Sequence, residues 1–234
     1  MLLQREIVKF SHPDPFSQFC STVADSFCPY LRPAEERNCL YLSTYVVQAD
    51  NQAKAQEEMF YISIAHTEML RKQRRFETRP GTALLICDNL SFIIEGHAAF
   101  RDMEKLISWP HWMLKNLYLD VGFMFGKFAV GQQRISRSGE DLPEPPIHFM
   151  SIRSLVKERD PYFFTKTPEL LANAINAIDD GRNVHAPFLE ESILENVEEM
   201  RKHSYFSNVL ERLSIQLPEP QRKGADYLLS LLSV

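Results

Sequence analysis

Between Val121 and Phe164 the chain reads VGFMFGKF (121–128), AVGQQRISRSGEDLPEPP (129–146), IHFMSIRSL (147–155) and VKERDPYFF (156–164). The first and third runs are apolar and the span between them is rich in Gly, Ser and Pro, which is the pattern of two paired strands whose connection is too long for a tight hairpin. Long ordered connections are more often functional than short ones. Gly122 and Gly126 bracket Phe123, Met124 and Phe125. Glycine weakens a strand interior unless the strand bends or a ligand approaches closely, so this strand is expected to bend twice in a buried sheet or to form a ligand wall.

Working toward the N-terminus, Thr82–Asp88 (TALLICD) reads as a buried strand, and Asp88 at its end as a solvated turn residue or a polar group near a cleft. Phe100 to Tyr118 has helical character interrupted at Pro110, with Trp109, His111 and Trp112 clustered at the break. From Ala53 to about Phe76 a long helix is expected, its inward stripe formed by Ala55, Met59, Ile62, His66 and Met69. His66 reads as a core or boundary histidine bonded to backbone. Arg71, Lys72, Arg74, Arg75 and Arg79 form a basic cluster at the helix end, expected as a solvated face, with an anion-binding patch as the alternative.

Asn38–Val47 has the β-branched and aromatic content of a strand. Asp14-Pro15 is a helix start, and Cys28-Pro29-Tyr30 ends that helix. Beyond Phe164 the chain is helical, with starts expected at Thr167-Pro168 and Pro187, a third helix around Phe206–Leu213 and a last one after Pro218-Glu219-Pro220. The order predicts an α+β fold, with a small, largely antiparallel sheet flanked by helices (1–165) and a C-terminal helical segment packed on it (166–234), one domain overall.

Hydrophobic residues at 44% and charged residues at 24% are ordinary globular values. The net charge of −5 argues against broad nucleic-acid binding, which needs a basic face. The N-terminal MLLQREIVKF lacks a continuous apolar core for a secretion signal, and nowhere do about 18 apolar residues run together. A cytoplasmic, non-membrane protein is expected. Cys20, Cys28, Cys39 and Cys87 are widely and unequally spaced without a CxxC pair, which reads as buried or partly buried thiols and not a zinc cluster. No phosphate-binding glycine loop follows either early strand, and neither GxSxG nor HExxH occurs.

Several short motifs occur in a consistent order: His12-Pro13-Asp14, Cys28-Pro29-Tyr30, Leu84-Leu85-Ile86 before a polar turn, Gly122-Phe123-Met124-Phe125-Gly126-Lys127-Phe128, Pro146, Met150-Ser151-Ile152-Arg153, and Asp160 before Phe163. Over about residues 10 to 165 this series resembles a bacterial family of uncharacterised domains with HPD, CPF, GLMIGEFH-like and AIRHM-like runs. It is more distantly similar to the YqcI/YcgG-like proteins, through an R-x-S-R loop that is here Arg134-Ile135-Ser136-Arg137. Some relatives in that wider group look like haem-dependent enzymes that N-hydroxylate arginine-type substrates in specialised metabolism.

The resemblance implies a haem- or iron-dependent oxidative enzyme acting on a small amino-acid-like molecule. His12 or His148 would be the iron ligand, Cys28 a thiolate alternative, Arg134, Arg137 and Arg153 would hold a carboxylate or propionate, and Phe123, Phe125 and Trp112 would wall the pocket. The arginines read equally well as surface ion pairs with Glu140, Asp141 and Glu144. Where the closer family carries its two histidines, this chain has Ala129 and Ser154. The alternative function is therefore a non-catalytic small-molecule or protein-binding module, and a homodimer through the C-terminal helices is a further expectation.

Overall fold

Asp14 caps the first helix as its sequence predicts, its carboxylate accepting the Ser17 N–H at 2.9 Å with Pro15 at the first helical position. The computed structural model describes residues 1–77, 86–96, 102–132, 135, 139–164, 167–190 and 196–233. Within them the order is β1 (Leu2–Ile7), α1 (Pro15–Ser26), α2 (Leu31–Glu36), β2 (Leu40–Gln48), α3 (Gln52–Glu77), β3 (Cys87–Glu95), α4 (Met103–Tyr118), β4 (Phe123–Phe128), β5 (Phe149–Ser154), α5 (Pro168–Ile175), α6 (Val197–Lys202), α7 (Tyr205–Ser214) and α8 (Glu219–Leu232). The strands form one sheet in the order β1-β2-β3-β5-β4. Three pairings are antiparallel and one, β2 with β3, is parallel, because α3 carries the chain back across the sheet between them. The fold is α+β with a mostly antiparallel sheet.

Side chains alternate between the two faces of the sheet. One face bears Ser43, Tyr45, Asp88, Leu90, Ile152, Phe123 and Phe125 and is covered by α3, α4 and the C-terminal helices. Its core joins Phe60, Tyr61, Leu114 and Tyr118 to Phe206, Val209 and Leu228. The opposite face carries Leu40, Cys87 and Phe149 beneath α1 and α2, with Phe16 and Phe19 set edge-on against the Phe149 ring. A small third cluster gathers Leu119, Met124, Phe164, Leu170 and Ala174. Among the described residues no helix is long and apolar enough to cross a membrane.

Several expectations need correction. The strand expected at Thr82–Asp88 begins only at Cys87 and continues to Glu95, and 82–85 lie outside the described residues, as does Arg79. Asp88 does not end it: Arg5 on β1 and His66 on α3 both bond its carboxylate inside the fold. Helix α4 runs unbroken through Pro110, and the amide of Gln56 on α3 donates to the Lys105 carbonyl in the turn before it. No helix starts at Pro187, where the chain makes turns. The helix in that region begins at Val197, where Asn196 accepts the Glu199 N–H. The turn after Pro29 was not expected to enter a second helix, α2.

The basic end of α3 is not a solvated face throughout. Arg71 is 2% exposed and Arg74 is largely buried. Both donate to Asp179, and Arg74 also bonds the Val121 and Gly122 carbonyls. Gly122 sits at φ +78°, which turns the chain from α4 into β4 over that guanidinium.

Candidate functional site

Helix α3 and three strands bring four polar side chains together on the α3 face of the sheet. His66 lies on the inward side of α3, Tyr45 on β2 four positions beyond Tyr41, which is the register partner of Asp88 on β3, and Arg5 on β1. Asp88 Oδ2 accepts from Arg5 Nε at 2.9 Å and from His66 Nε2 at 2.9 Å, while His66 Nδ1 lies 2.7 Å from the Tyr45 hydroxyl. The side chains of His66 and Asp88 are fully buried and that of Arg5 is a quarter exposed, its guanidinium 3.9 Å above the Tyr41 ring.

An ionised carboxylate only accepts hydrogen bonds, so the proton on the ring sits at Nε2 and the bare Nδ1 accepts from Tyr45 O–H. Burial, and then the Asp88 charge, push the Tyr45 phenol up to about 12. It therefore stays a proton donor at neutral pH. Among the described residues three buried atoms beside this chain have no hydrogen-bond partner: Arg5 Nη2, Ser43 Oγ and Asp88 Oδ1. They belong to adjacent strands and to the same face, Arg5 being the register partner of Ser43. Together they present a donor, an acceptor and a hydroxyl able to act as either.

A second polar network lies where α3 meets the segment before α6. His185 is held between Tyr205 Oη at Nδ1 and Tyr118 Oη at Nε2, the latter at 3.1 Å. Burial and the nearby Arg71 push its pKa down to about 3, so it is neutral. Each of its nitrogens faces a phenol and its side chain is buried, which makes this a packing centre and leaves the first cluster as the candidate site.

Residues 24–185 match a family described as a domain of unknown function, DUF6875. The chain belongs to that family. No curated protein and no solved structure matches it. The DUF6875 segment contains Tyr45, His66, Asp88 and the Arg71–Asp179 cluster, whereas Arg5 and helices α6 to α8 lie outside it.

Within the DUF6875 segment the residues expected around a ligand take separate places. Phe123 and Phe125 are sealed in the main core, Phe123 under the Arg74 guanidinium at 4.1 Å and Phe125 with its carbonyl accepting from His111. Arg153 points to the other face and makes a two-pronged pair with Asp160 at 2.7 and 2.8 Å, so the carboxylate it holds is the chain's own. It borders a shallow surface dent, open to solvent, with Tyr30, Ile86, Cys87, Ser154 and Val156. Trp112 is half-buried on α4, edge-on to Trp109. Arg134 and Arg137 lie outside the described residues.

The two histidines are apart in kind as well as in place. His148 stands just before β5, its Nδ1 accepting the Val130 N–H, whereas His12, outside the DUF6875 segment, is exposed next to Asp14. Ala129 and Ser154, the two positions where the motif resemblance set histidines, fall at opposite ends of the β4–β5 ladder: Ser154 pairs with Phe123, and Ala129 follows Phe128, which pairs with Phe149. At about 3.3 Å per residue they are some 20 Å apart, too far to serve one metal together. The described members of this set do not converge to hold haem. Cys87 is pushed up to about 12 by burial, and Cys20 is raised for the same reason, so both remain thiols. Among the described residues no three His, Cys, Asp or Glu side chains are grouped to hold a metal ion.

His66 and Asp88 are both visible in the sequence, but nothing local joins them. The usable signal was negative: an aspartate inside an apolar run needs a cation and a donor somewhere in the fold.

Proposed function

We propose that the protein binds a small amino-acid-like molecule at the Arg5–Ser43–Tyr45–His66–Asp88 cluster and exchanges a proton with it through Tyr45. The observation behind this reading is the group of three buried, unpartnered atoms beside a hydrogen-bonded Tyr–His–Asp chain. Buried polar groups are normally paired, and unpaired ones concentrate where a ligand or catalysis uses them. Arg5 and Asp88 cancel in charge, which suits a dipolar head: its carboxylate would face Arg5 Nη2 and its ammonium Asp88 Oδ1. As the Tyr45 oxygen takes a proton from the ligand's ammonium, the Tyr45 O–H proton would pass to His66 Nδ1, and Asp88 would hold the resulting imidazolium through its Nε2–H.

The iron- or haem-dependent oxidation that the YqcI/YcgG likeness implies has no converging donor set among the described residues, and no step is assigned to it. Its own test is an absorption spectrum of protein expressed with added haem and iron, where a Soret band would revive it. For the dipolar-ligand reading the probes are glycine, acetate and methylamine in a thermal-shift titration, with the His66 ring followed by NMR. Glycine is expected to raise the melting temperature and move the His66 signals, and acetate or methylamine alone to do neither. Absence of any glycine effect, or an equal effect in Asp88→Asn, would overturn it.

A further inference from the structure

The two outer strands of the sheet are finished differently. Strand β4 lies under α4, and its Phe125 carbonyl is taken by His111. Among the described residues strand β1 has no such cover: Leu2, Leu3 and Ile7 are 45%, 57% and 48% exposed, and the strand contains neither proline nor lysine. Open strand edges of this kind template pairing with another strand unless such devices blunt them.

Which backbone groups face out follows from the ladder. Val8 N–H points inward to Leu40, so by alternation the N–H and C=O of Ile7 and Arg5 point outward. The sequence around Arg5 then has a chemical symmetry. Leu3-Gln4-Arg5-Glu6-Ile7 read against itself in the antiparallel sense sets Leu3 opposite Ile7, Gln4 opposite Glu6 and Arg5 opposite Arg5.

The outer pairs are apolar on apolar and the next are amide on carboxylate. The two arginines at the centre do not oppose each other's charge at the seam, because each guanidinium reaches inward over its own Tyr41 to its own Asp88. Registers shifted by two residues lose this match. One sets Leu3 against Arg5, and the other sets Glu6 against Glu6. A bulge between Leu2 and Gln4 bends the strand and closes the pairing at that end.

From this we infer that β1 pairs antiparallel with β1 of a second copy of the chain about Arg5, joining the two sheets into one. The two-fold axis is perpendicular to the sheet, which makes the contact self-complementary and closed. Pairing covers the exposed quarter of each Arg5 side chain without altering its bond to Asp88. This inference stands independently of the ligand reading above.

Sedimentation velocity on the full chain over a wide concentration range tests it. The expected species is a dimer of twice the 27.2 kDa chain. Ile7→Lys is expected to raise the dimer dissociation constant by about tenfold or more, since an exposed apolar contact is lost in both copies. Gln4→Lys, which sets a cation opposite Glu6 in this register, is expected to tighten the dimer severalfold at low salt. Circular dichroism of both variants controls for folding. A monomer at every concentration, a dimer indifferent to Ile7→Lys, or a dimer loosened by Gln4→Lys would each overturn the inference.

Discussion

Replacing Asp88 by Asn keeps the shape of the side chain and removes the charge on which Arg5 and His66 converge. Breaking a buried ion pair costs about 3–5 kcal/mol, and the cost here should fall at the low end because Arg5 is partly exposed and can recover water. Urea denaturation of Asp88→Asn is expected to show a loss of about 3 kcal/mol, against about 1 kcal/mol for Tyr45→Phe, which deletes a single hydrogen bond. His185 supplies a pH prediction. It stays neutral in the folded chain down to about pH 3, while its ordinary value is 6.5. Between these values only the unfolded chain takes up this proton, so stability falls as the pH is lowered through the window. Relative to His185→Gln, the wild type should lose up to about 1.4 kcal/mol per pH unit between 6.5 and 3 in denaturation series. The residues of the polar centre were legible one by one, but their meeting was not. His66 and Asp88 are 22 positions apart, and what unites them is the strand register and the way α3 lies on the sheet.

Helix α3 was legible because Ala55, Met59, Ile62 and His66 step along it at helical spacing and are all buried, although Met69, expected in the same stripe, is 40% exposed. The role of its basic end was not. Spacing shows that Arg71 and Arg74 share a side of the helix, but the partner that turns them inward, Asp179, lies more than a hundred residues on. That aspartate ties α3 to the segment following α5, and both arginines hold its carboxyl below the ordinary range against the opposing effect of burial. Asp179→Ala removes the carboxylate that Arg71 and Arg74 share, Arg71 keeping Glu68 and Arg74 its two carbonyls, and an expected loss of about 3 kcal/mol would be read from the denaturation midpoint. An unchanged midpoint would mean that the pair contributes little beyond its own desolvation. Pro110 shows the opposite limit of local reading: the residue type predicts a break, yet the helix runs through it from Met103 to Tyr118.

The family segment ends at residue 185, yet the main core does not. Phe206, Val209, Leu210 and Leu228 from α7 and α8 are buried against Phe60 and Tyr61 of α3, and Arg201 of α6 pairs with Glu58 of the same helix. Cutting the chain after Glu190 therefore strips one side of α3. The truncated protein is expected to bind a hydrophobic dye and to melt without a cooperative transition in calorimetry, whereas a sharp transition near that of the full chain would show the tail to be an accessory. The overall class was legible because alternating and helical periods are local properties. The parallel pairing at the centre was not, since Leu40 and Cys87 become neighbours only through the path of the chain between them. That pairing has a consequence for synthesis. As the polypeptide leaves the ribosome, β2 emerges and can join β1 at once, but its other border stays bare until everything up to Glu95 has followed and α3 has swung across. During that interval the nascent protein shows a hydrophobic strand to its surroundings, and a slower rate of translation lengthens its time at risk of clumping with its neighbours.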